Sequence, residues 1–511
     1  MRLPRLAPVA LGMLAGWAQA VAVAAPWDGQ PLWWLQLLSL ALLVTQLEAA
    51  GSWQRAALVG WTFATTWLAA TFWWLFISMH TYGGLAAPLA IAAILGLAAF
   101  LGSYYALVCG LFRALVRASR TQSAIFFAAL WMLAELARVT WFTGFPWGAG
   151  GYAHLDGPLA PLAKFIGVHG IGALAAGMAV VLAGWRDVLA ARRVKLLWVV
   201  PAVALLLLAA RTSFSSSAGT LSVALLQGNI PQDEKFESGS GVPLALAWYQ
   251  EQLTTTAASL VVAPETAIPL LPAQLPEGYL ANLGQQIAGN GRAALIGIPL
   301  GSMAEGYSNA VIGIRPGADV YRYDKHHLVP FGEFIPPLFR WFTEMMKIPL
   351  GDFNRGAVGQ PSFEWKGHRL APNICYEDLF GEELGARFAD PATAPTVFVN
   401  VSNIGWFGNT VAIDQHLAIS RMRALEFERP MLRATNTGAT VVIDHHGRLT
   451  HSLPRYTRGV LVADVEGRTG TTPYAWWVAR LGLWPLWLLA ALVAGAAYFM
   501  RTSRPGRAPV I

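Results

Sequence analysis

Only two cysteines, Cys109 and Cys375, occur in 511 residues, so no disulfide framework can staple the fold. Charge is nearly as scarce. Asp, Glu, Lys and Arg make up 13% of the chain, against about a quarter in ordinary soluble domains. No histidine or cysteine pattern reproduces the spacing of a zinc site, no internal repeat emerges, and no low-complexity linker separates the parts. These absences argue against a secreted disulfide scaffold, a freely soluble globule, a metal-centred enzyme and a repeat array.

What the chain has instead is apolar length. Apolar residues make up 55% of it, and runs near the roughly twenty residues that cross a hydrocarbon core fall at 7–25, 31–49, 57–78, 85–112, 124–140, 165–184, 195–210 and 479–499. They predict a multi-pass bundle of about eight helices, seven before a long polar stretch and one after it. Cys109 lies inside the fourth run.

Basic residues mark alternate loops. Arg2 and Arg5 precede the first run, Arg55 follows the second, and Arg113, Arg117 and Arg120 follow the fourth. Arg186, Arg192, Arg193 and Lys195 follow the sixth, and Arg501, Arg504 and Arg507 follow the last. Loops 26–30, 79–83 and 141–163 carry none. Because Lys and Arg near short loops are retained in the cytoplasm, both termini are expected inside and residues 211–478 outside. The net charge of +7 then follows from topology and requires no nucleic acid. The first run, with Arg2, Arg5 and the small residues AQAVAVAAP, also fits a cleavable signal peptide, and residue 26 is outside either way.

Residues 1–210 are thus expected to hold seven helices, 211–478 an external domain, and 479–511 the last helix with a cytoplasmic tail. Within the external part, 221–230, 259–267, 293–300, 309–317 and 320–328 read as strands, as do RLAPNICYE, TVFVNVSN, TGATVVIDHHGRL and GVLVADVEG. Residues 244–258, 279–289 and 412–429 read as helices, and the alternation favours a layered α/β domain. FIPPLFRWFTEMMKIPLGDF at 334–353 is compatible with a core helix. It also fits an arm in the lipid interface, with Arg340 and Lys347 snorkelling to the head groups.

Three residues in this domain can share a reaction. A thiol at neutral pH is mostly protonated, so Cys375 needs a base to attack a carbonyl carbon. Glu265, at the end of VVAPE, can accept that proton. Lys325, closing YRYDK, can lower the thiol's pKa and stabilise an oxyanion, aided by the Tyr376 N–H. Each residue taken singly is more often structural. His326 and His327, as neighbours on a strand, are expected to face opposite ways and to find no third ligand, so no metal and no cofactor is expected. FPWGAGGY at 145–152 places Trp147 on the external side, as an entrance wall or an interfacial anchor.

The ordered set PET, DKxHLVPFGE and CYE, followed by VNVSNIGWFG and RMRALEFER, resembles the nitrilase superfamily of Glu-Lys-Cys enzymes. With seven spans before and one after, it is similar to the superfamily's membrane-embedded branch, the bacterial apolipoprotein N-acyltransferases. The resemblance implies an αββα sandwich on the periplasmic side of the inner membrane. It implies Glu265 as general base, Lys325 as oxyanion stabiliser and Cys375 as nucleophile, with Glu333, Tyr376 and Glu377 as supporting residues and Trp406 and Phe407 on a loop at the site. Phe236 stands where the family often has Trp. The implied reaction is a two-step exchange. Cys375 takes an acyl chain from the sn-1 position of a phospholipid, phosphatidylethanolamine being the expected donor. The thioester then passes that chain to the α-amine of a diacylglyceryl-cysteine apolipoprotein. Two alternatives stand beside it: a membrane-anchored carbon-nitrogen hydrolase that hands the acyl group to water, and a non-catalytic lipid transporter.

Overall fold

The computed structural model describes residues 7–115, 119–185, 192–302, 304–335 and 353–502. The segment 334–353, with Arg340, Trp341, Met345 and Lys347, therefore lies almost wholly outside the described residues. The chain divides into two compact units: Met1–Leu75 with Ala87–Thr212 and Leu483–Ile511, and Ser213–Gly482 with Phe76–Ala86. The short piece at 76–86, which the boundary at 210 assigns to the first region, thus belongs with the second.

In the first unit, helices fall on each of the predicted apolar runs: α1 (Ala7–Val23), α2 (Trp33–Ala49), α3 (Trp53–Thr71), α4 (Ala87–Leu115), α5 (Arg120–Thr140), α6 (Ala163–Ala183), α7 (Arg192–Arg211) and, after the second unit, α13 (Trp484–Thr502). Among the described residues, three helices are long and apolar enough to cross a membrane. They become up to four if Pro473–Leu481 and Trp484–Ala496 form one span.

Small residues let the helices approach. A Cβ on Gly60 of α3 would meet the Cys109 sulfur of α4 at 2.6 Å, the close backbone contact that membrane helices favour. Trp67 stacks on Trp131 at 6.0 Å. A group of buried polar residues is linked by hydrogen bonds, which offset the cost of a dry interior. Tyr105 donates to Glu135 (2.8 Å), Arg138 donates to the Tyr105 oxygen (3.1 Å), and a second Arg138 nitrogen donates to the Trp147 carbonyl (2.6 Å). Ser119 and Gln122 form a reciprocal cap at the start of α5, closing orphan amides.

The second unit is built from strands β1 (Ser215–Gln227), β2 (Leu260–Val262), β3 (Ala293–Ser302), β4 (Gly306–Ile314), β5 (Tyr321–Asp324), β6 (Phe363–Trp365), β7 (His368–Ile374), β8 (Val397–Ser402), β9 (Met431–Thr435), β10 (Val441–Ile443), β11 (Leu449–Ser452) and β12 (Gly459–Gly470). Its helices are α8 (Gly241–Thr255), α9 (Tyr279–Gly289), α10 (Gly381–Gly385), α11 (Ala412–Phe427) and α12 (Pro473–Leu481). The strands form two six-stranded sheets, ordered β12-β1-β2-β3-β4-β5 and β11-β10-β9-β8-β7-β6.

Alternation along the strands builds the layers. Val223 and Leu225 of β1 point into a core shared with Ile374, Val399 and Leu432 of the other sheet. Ala224 and Leu226, on the opposite face, pack with Tyr249 and Leu253 of α8 and with Leu283 and Ile287 of α9. Phe427 of α11 packs on Phe398 of β8 at 5.4 Å. The result is an αββα sandwich, as the resemblance implied.

Strand ends differ in detail from the sequence pattern. β2 stops at Val262 and β5 at Asp324, although the next amides still bond to the neighbouring strands, Ala263 N to Leu295 O and Lys325 N to Asn309 O. β6, β9 and β11 carry no strong alternation of their own and take strand form through pairing with neighbours.

Candidate active site

Glu265 and Cys375 follow the carboxyl ends of β2 and β7, parallel strands of opposite sheets, where α/β folds hold their ligands. Lys325 immediately follows β5.

The Glu265 turn is strapped to β3: Ala263 N donates to Leu295 O (2.8 Å) and Ile268 N to Gly297 O (3.2 Å). Gly297 leaves the room, since a Cβ there would lie 2.2 Å from the Pro264 oxygen. The carboxylate accepts from Asn309 Nδ2 at 2.7 Å and from the Asn403 amide at 2.8 Å.

Cys375 opens a tight 3₁₀ turn with φ +52°, a left-handed conformation that costs a non-glycine residue about 1–2 kcal/mol. The surroundings hold it there. The Cys375 carbonyl accepts from Asn400 Nδ2 and from His416 Nε2, both at 3.1 Å. Glu377, one turn on, accepts from the Ile374 amide at 2.6 Å. The same carboxylate accepts from the Tyr323 hydroxyl (2.7 Å) and from the amides of His326 (2.6 Å) and His327 (3.2 Å). Glu377 therefore ties the cysteine turn to the lysine loop and acts through the backbone.

Lys325 is buried, and its Nζ lies 2.8 Å from Glu333 Oε1 and 3.6 Å from Glu265 Oε1. Burial alone would lower the ammonium's pKa, but Glu333 and then Glu265 outweigh it and hold the group above its usual value. Glu333 also accepts from Asn309 (2.9 Å) and from the Val329 amide (2.9 Å). Burial and then the Glu265 carboxylate push the Cys375 thiol up to about 12, while Lys325 pulls the other way. The thiol is thus neutral at rest beside a carboxylate able to take its proton and an ammonium able to stabilise an oxyanion.

Of the predicted residues, Glu265, Lys325, Cys375 and Glu333 form this cluster. Tyr376 is buried, its ring 5.3 Å from Phe380. Phe236 is 53% exposed beside Lys235. Trp406 and Phe407 lie on the turn Ile404–Phe407 after β8, with Trp406 edge-on to Tyr82 at 5.6 Å. Trp147 is buried in the first unit, its ring 4.9 Å from Trp74.

The expectation that His326 and His327 face opposite ways is corrected. β5 ends before them, and His327 Nδ1 and His326 Nε2 lie 2.8 and 3.8 Å from the same Glu383 oxygen. Among the described residues no group of three or more His, Cys, Asp or Glu side chains is arranged to hold a metal.

Sequence inspection missed several participants. Asn309, His416 and Lys235 sit in unremarkable contexts, Asn400 and Asn403 lie within VNVSNIGWFG without having been singled out, and only the fold brings them to the cluster. Lys235 Nζ donates to the Glu265 carbonyl at 3.0 Å; its signal was an isolated Lys in QDEKF, five residues past QGNI.

Residues 222–474 match the carbon-nitrogen hydrolase family and residues 15–181 the apolipoprotein N-acyltransferase N-terminal domain. The chain is 61% identical over 495 residues to apolipoprotein N-acyltransferase of Verminephrobacter eiseniae (strain EF01-2), covering 92% of each. It is 46% identical over 481 residues to apolipoprotein N-acyltransferase of Ralstonia nicotianae, covering 91% of each. A solved carbon-nitrogen hydrolase from Helicobacter pylori G27 aligns at 15% identity and TM-score 0.36, over 52% of this chain and 94% of that one. By the match at 222–474, the second unit is a carbon-nitrogen hydrolase domain. The chain as a whole belongs to the apolipoprotein N-acyltransferase family.

Proposed function

We propose that the chain transfers an acyl group from a membrane phospholipid to the N-terminal amine of a lipoprotein. The observation that carries this reading is the convergence of Glu265, Lys325 and Cys375 in a chain that also has apolar helices of spanning length. Two membrane-held substrates gain from a site fixed at the bilayer, because anchoring removes much of the entropic cost of encounter.

In the first step Glu265 takes the thiol proton as the sulfur attacks the sn-1 ester carbonyl. Lys325, with the Tyr376 amide, stabilises the oxyanion. Collapse expels the lysophospholipid alkoxide, which recovers the proton from Glu265 and leaves a thioester on Cys375. In the second step the α-amine of a diacylglyceryl-cysteine attacks the thioester. Glu265 takes the amine's proton and returns it to the departing sulfur, so the products are an amide and free thiol.

Phosphatidylethanolamine is the proposed donor. Glu333 neutralises Lys325 and orients it, Glu377 and Tyr376 support the cysteine turn, and Phe236, Trp406 and Phe407 offer apolar contact to the lipids. Eight spans, cytoplasmic termini and a periplasmic catalytic domain in the inner membrane complete the proposal, supported by the alternation of basic loops.

Intact-mass measurement of purified protein exposed to phospholipid tests the first step, a long-chain adduct on Cys375 with release of lysophospholipid being expected. Adding a diacylated lipopeptide should discharge the adduct to a triacylated product. Discharge to free fatty acid without an amine acceptor would instead identify a hydrolase.

A further inference from the structure

Residues 231–240 link β1 to α8 and wrap the back of the Glu265 turn. They are anchored, not draped. Asn436 and Ile230 exchange two hydrogen bonds through the Asn436 amide side chain (3.0 and 2.8 Å). Asn403, whose main chain donates to Glu265, also donates from Nδ2 to Gln232 Oε1 at 2.8 Å. Gly241 closes the segment so tightly that a Cβ there would meet the Glu234 oxygen at 2.0 Å and Lys235 Cα at 3.0 Å. Lys235 itself is 2% exposed, and its Nζ donates to the Glu265 carbonyl at 3.0 Å.

Burying an ammonium is costly unless something compensates it, and lysine is rarely buried unless paired. The compensation lies in the charge count of the site. Glu265 and Glu333 converge on Lys325 alone, which leaves one excess negative charge when the thiol is neutral. A thiolate formed there would be opposed by that excess. Lys235 brings that sum to zero through a contact to the very turn that carries the base.

We propose that Lys235 is a positioning residue of this active site: its ammonium fixes the Glu265 main chain and supplies the second positive charge that permits Cys375 to lose its proton. The proposal rests on the acyl-transfer reading for its biological meaning, but its chemical content concerns the thiol alone. Glu265 and Cys375 are the titratable groups that act on Lys235 from the neighbouring turns, and burial, their opponent, lowers the ammonium to about 8.

The test uses the full-length protein in phospholipid-free detergent, phospholipid being added only to measure acyl-enzyme formation, and two variants: Lys235→Met, which removes donor and charge, and Lys235→Gln, which retains a donor without charge. Iodoacetamide alkylation of Cys375, followed by site-resolved mass spectrometry on the monodisperse fraction, reads thiol reactivity without reference to any lipid product. Both variants should alkylate at least about tenfold more slowly than the parent at neutral pH. Their acyl-enzyme formation should slow by a similar factor at a phospholipid KM within about twofold. Parental alkylation rates in either variant overturn the proposal. Slow alkylation in both variants, with no acyl adduct even in the parent protein, would sustain Lys235's role and defeat the acyl-transfer reading.

Discussion

The Nε2 of His416 lies 3.1 Å from the carbonyl oxygen of Cys375. On the other side of the ring, Arg433 NH2 sits 2.7 Å from Nδ1. A guanidinium only donates, so Nδ1 accepts and the proton belongs to Nε2. That proton is shared between the Cys375 carbonyl and Asp378 Oδ1 at 2.9 Å. Burial, then the Arg433 charge, hold the imidazole below its ordinary range. A neutral histidine of fixed tautomer therefore pins the strained cysteine turn.

Replacing His416 by Ala should remove one of two donors to that carbonyl and loosen the turn. The expected cost is about 1–3 kcal/mol of stability, the usual penalty for a lost buried partner. Acyl-enzyme formation should fall at least about tenfold at nearly constant KM, as befits a residue acting through Cys375. Stopped acylation assays with denaturant titration check both numbers, and an unchanged acylation rate would remove His416 from the machinery.

Cys375→Ala and Cys375→Gly should both form no acyl-enzyme, yet differ in stability. At φ +52° glycine pays no Cβ penalty, so the Gly variant should be the more stable by about 1 kcal/mol. Thermal unfolding of the two proteins side by side measures this. An Ala variant equal to or above the Gly variant would contradict the strained turn.

Lys325→Met should deprive Glu265 and Glu333 of the cation they share and cost about 3–5 kcal/mol. In the parent, the pKa of Lys325 is raised by Glu333 and Glu265 in the face of burial. Its stabilising contribution is thus complete below the unfolded value of about 10.5 and fades only as pH climbs through the still higher folded value. The parent should show no Lys325-linked loss near neutrality. The variant should gain stability as pH falls and its carboxylates protonate. A pH series of melting points decides, and a flat variant profile would count against the pairing.

Alkaline pH should slow acylation before it unfolds the protein. Lys235 is lowered from 10.5 to about 8, chiefly by burial, so its positive charge disappears as pH rises through about 8. Between those two values the unfolded chain binds the proton that the folded one has released, and this group therefore favours folding as pH increases. A rate that drops above about pH 8 while the melting point holds would match. A rate limb that persists unchanged in Lys235→Gln would assign it elsewhere.

Gly297→Ala places a methyl 2.2 Å from the Pro264 oxygen and 2.7 Å from Glu265 Cα. Overpacking of this kind costs about 1–3 kcal/mol, and the displaced base should lower acylation at least about tenfold. Full activity in this variant would show that the Glu265 turn tolerates movement.

Much of the molecule was legible before any coordinates. The helix at 279–289 coincides with α9, and the strand at 293–300 lies within β3, because each carries a sustained period and clear Gly, Asn or Pro boundaries. β6, β9 and β11 escaped notice because three to five residues offer too short a pattern to compete with noise. Within the site, Glu265, Lys325 and Cys375 announced themselves by motif. Asn309, His416 and Lys235 did not, since such a side chain looks the same in the sequence whether it faces water or a carboxylate.

By itself the amino-acid order determined the membrane-length runs, the layered α/β domain and the three side chains proposed to react, because hydrophobic period and local turn chemistry are written along the chain. Only tertiary structure decided how those side chains are held. The left-handed backbone at Cys375, the tautomer of His416 and the buried ammonium of Lys235 each arise from groups far apart in sequence, and their energies exist only once the two sheets have closed and water has left.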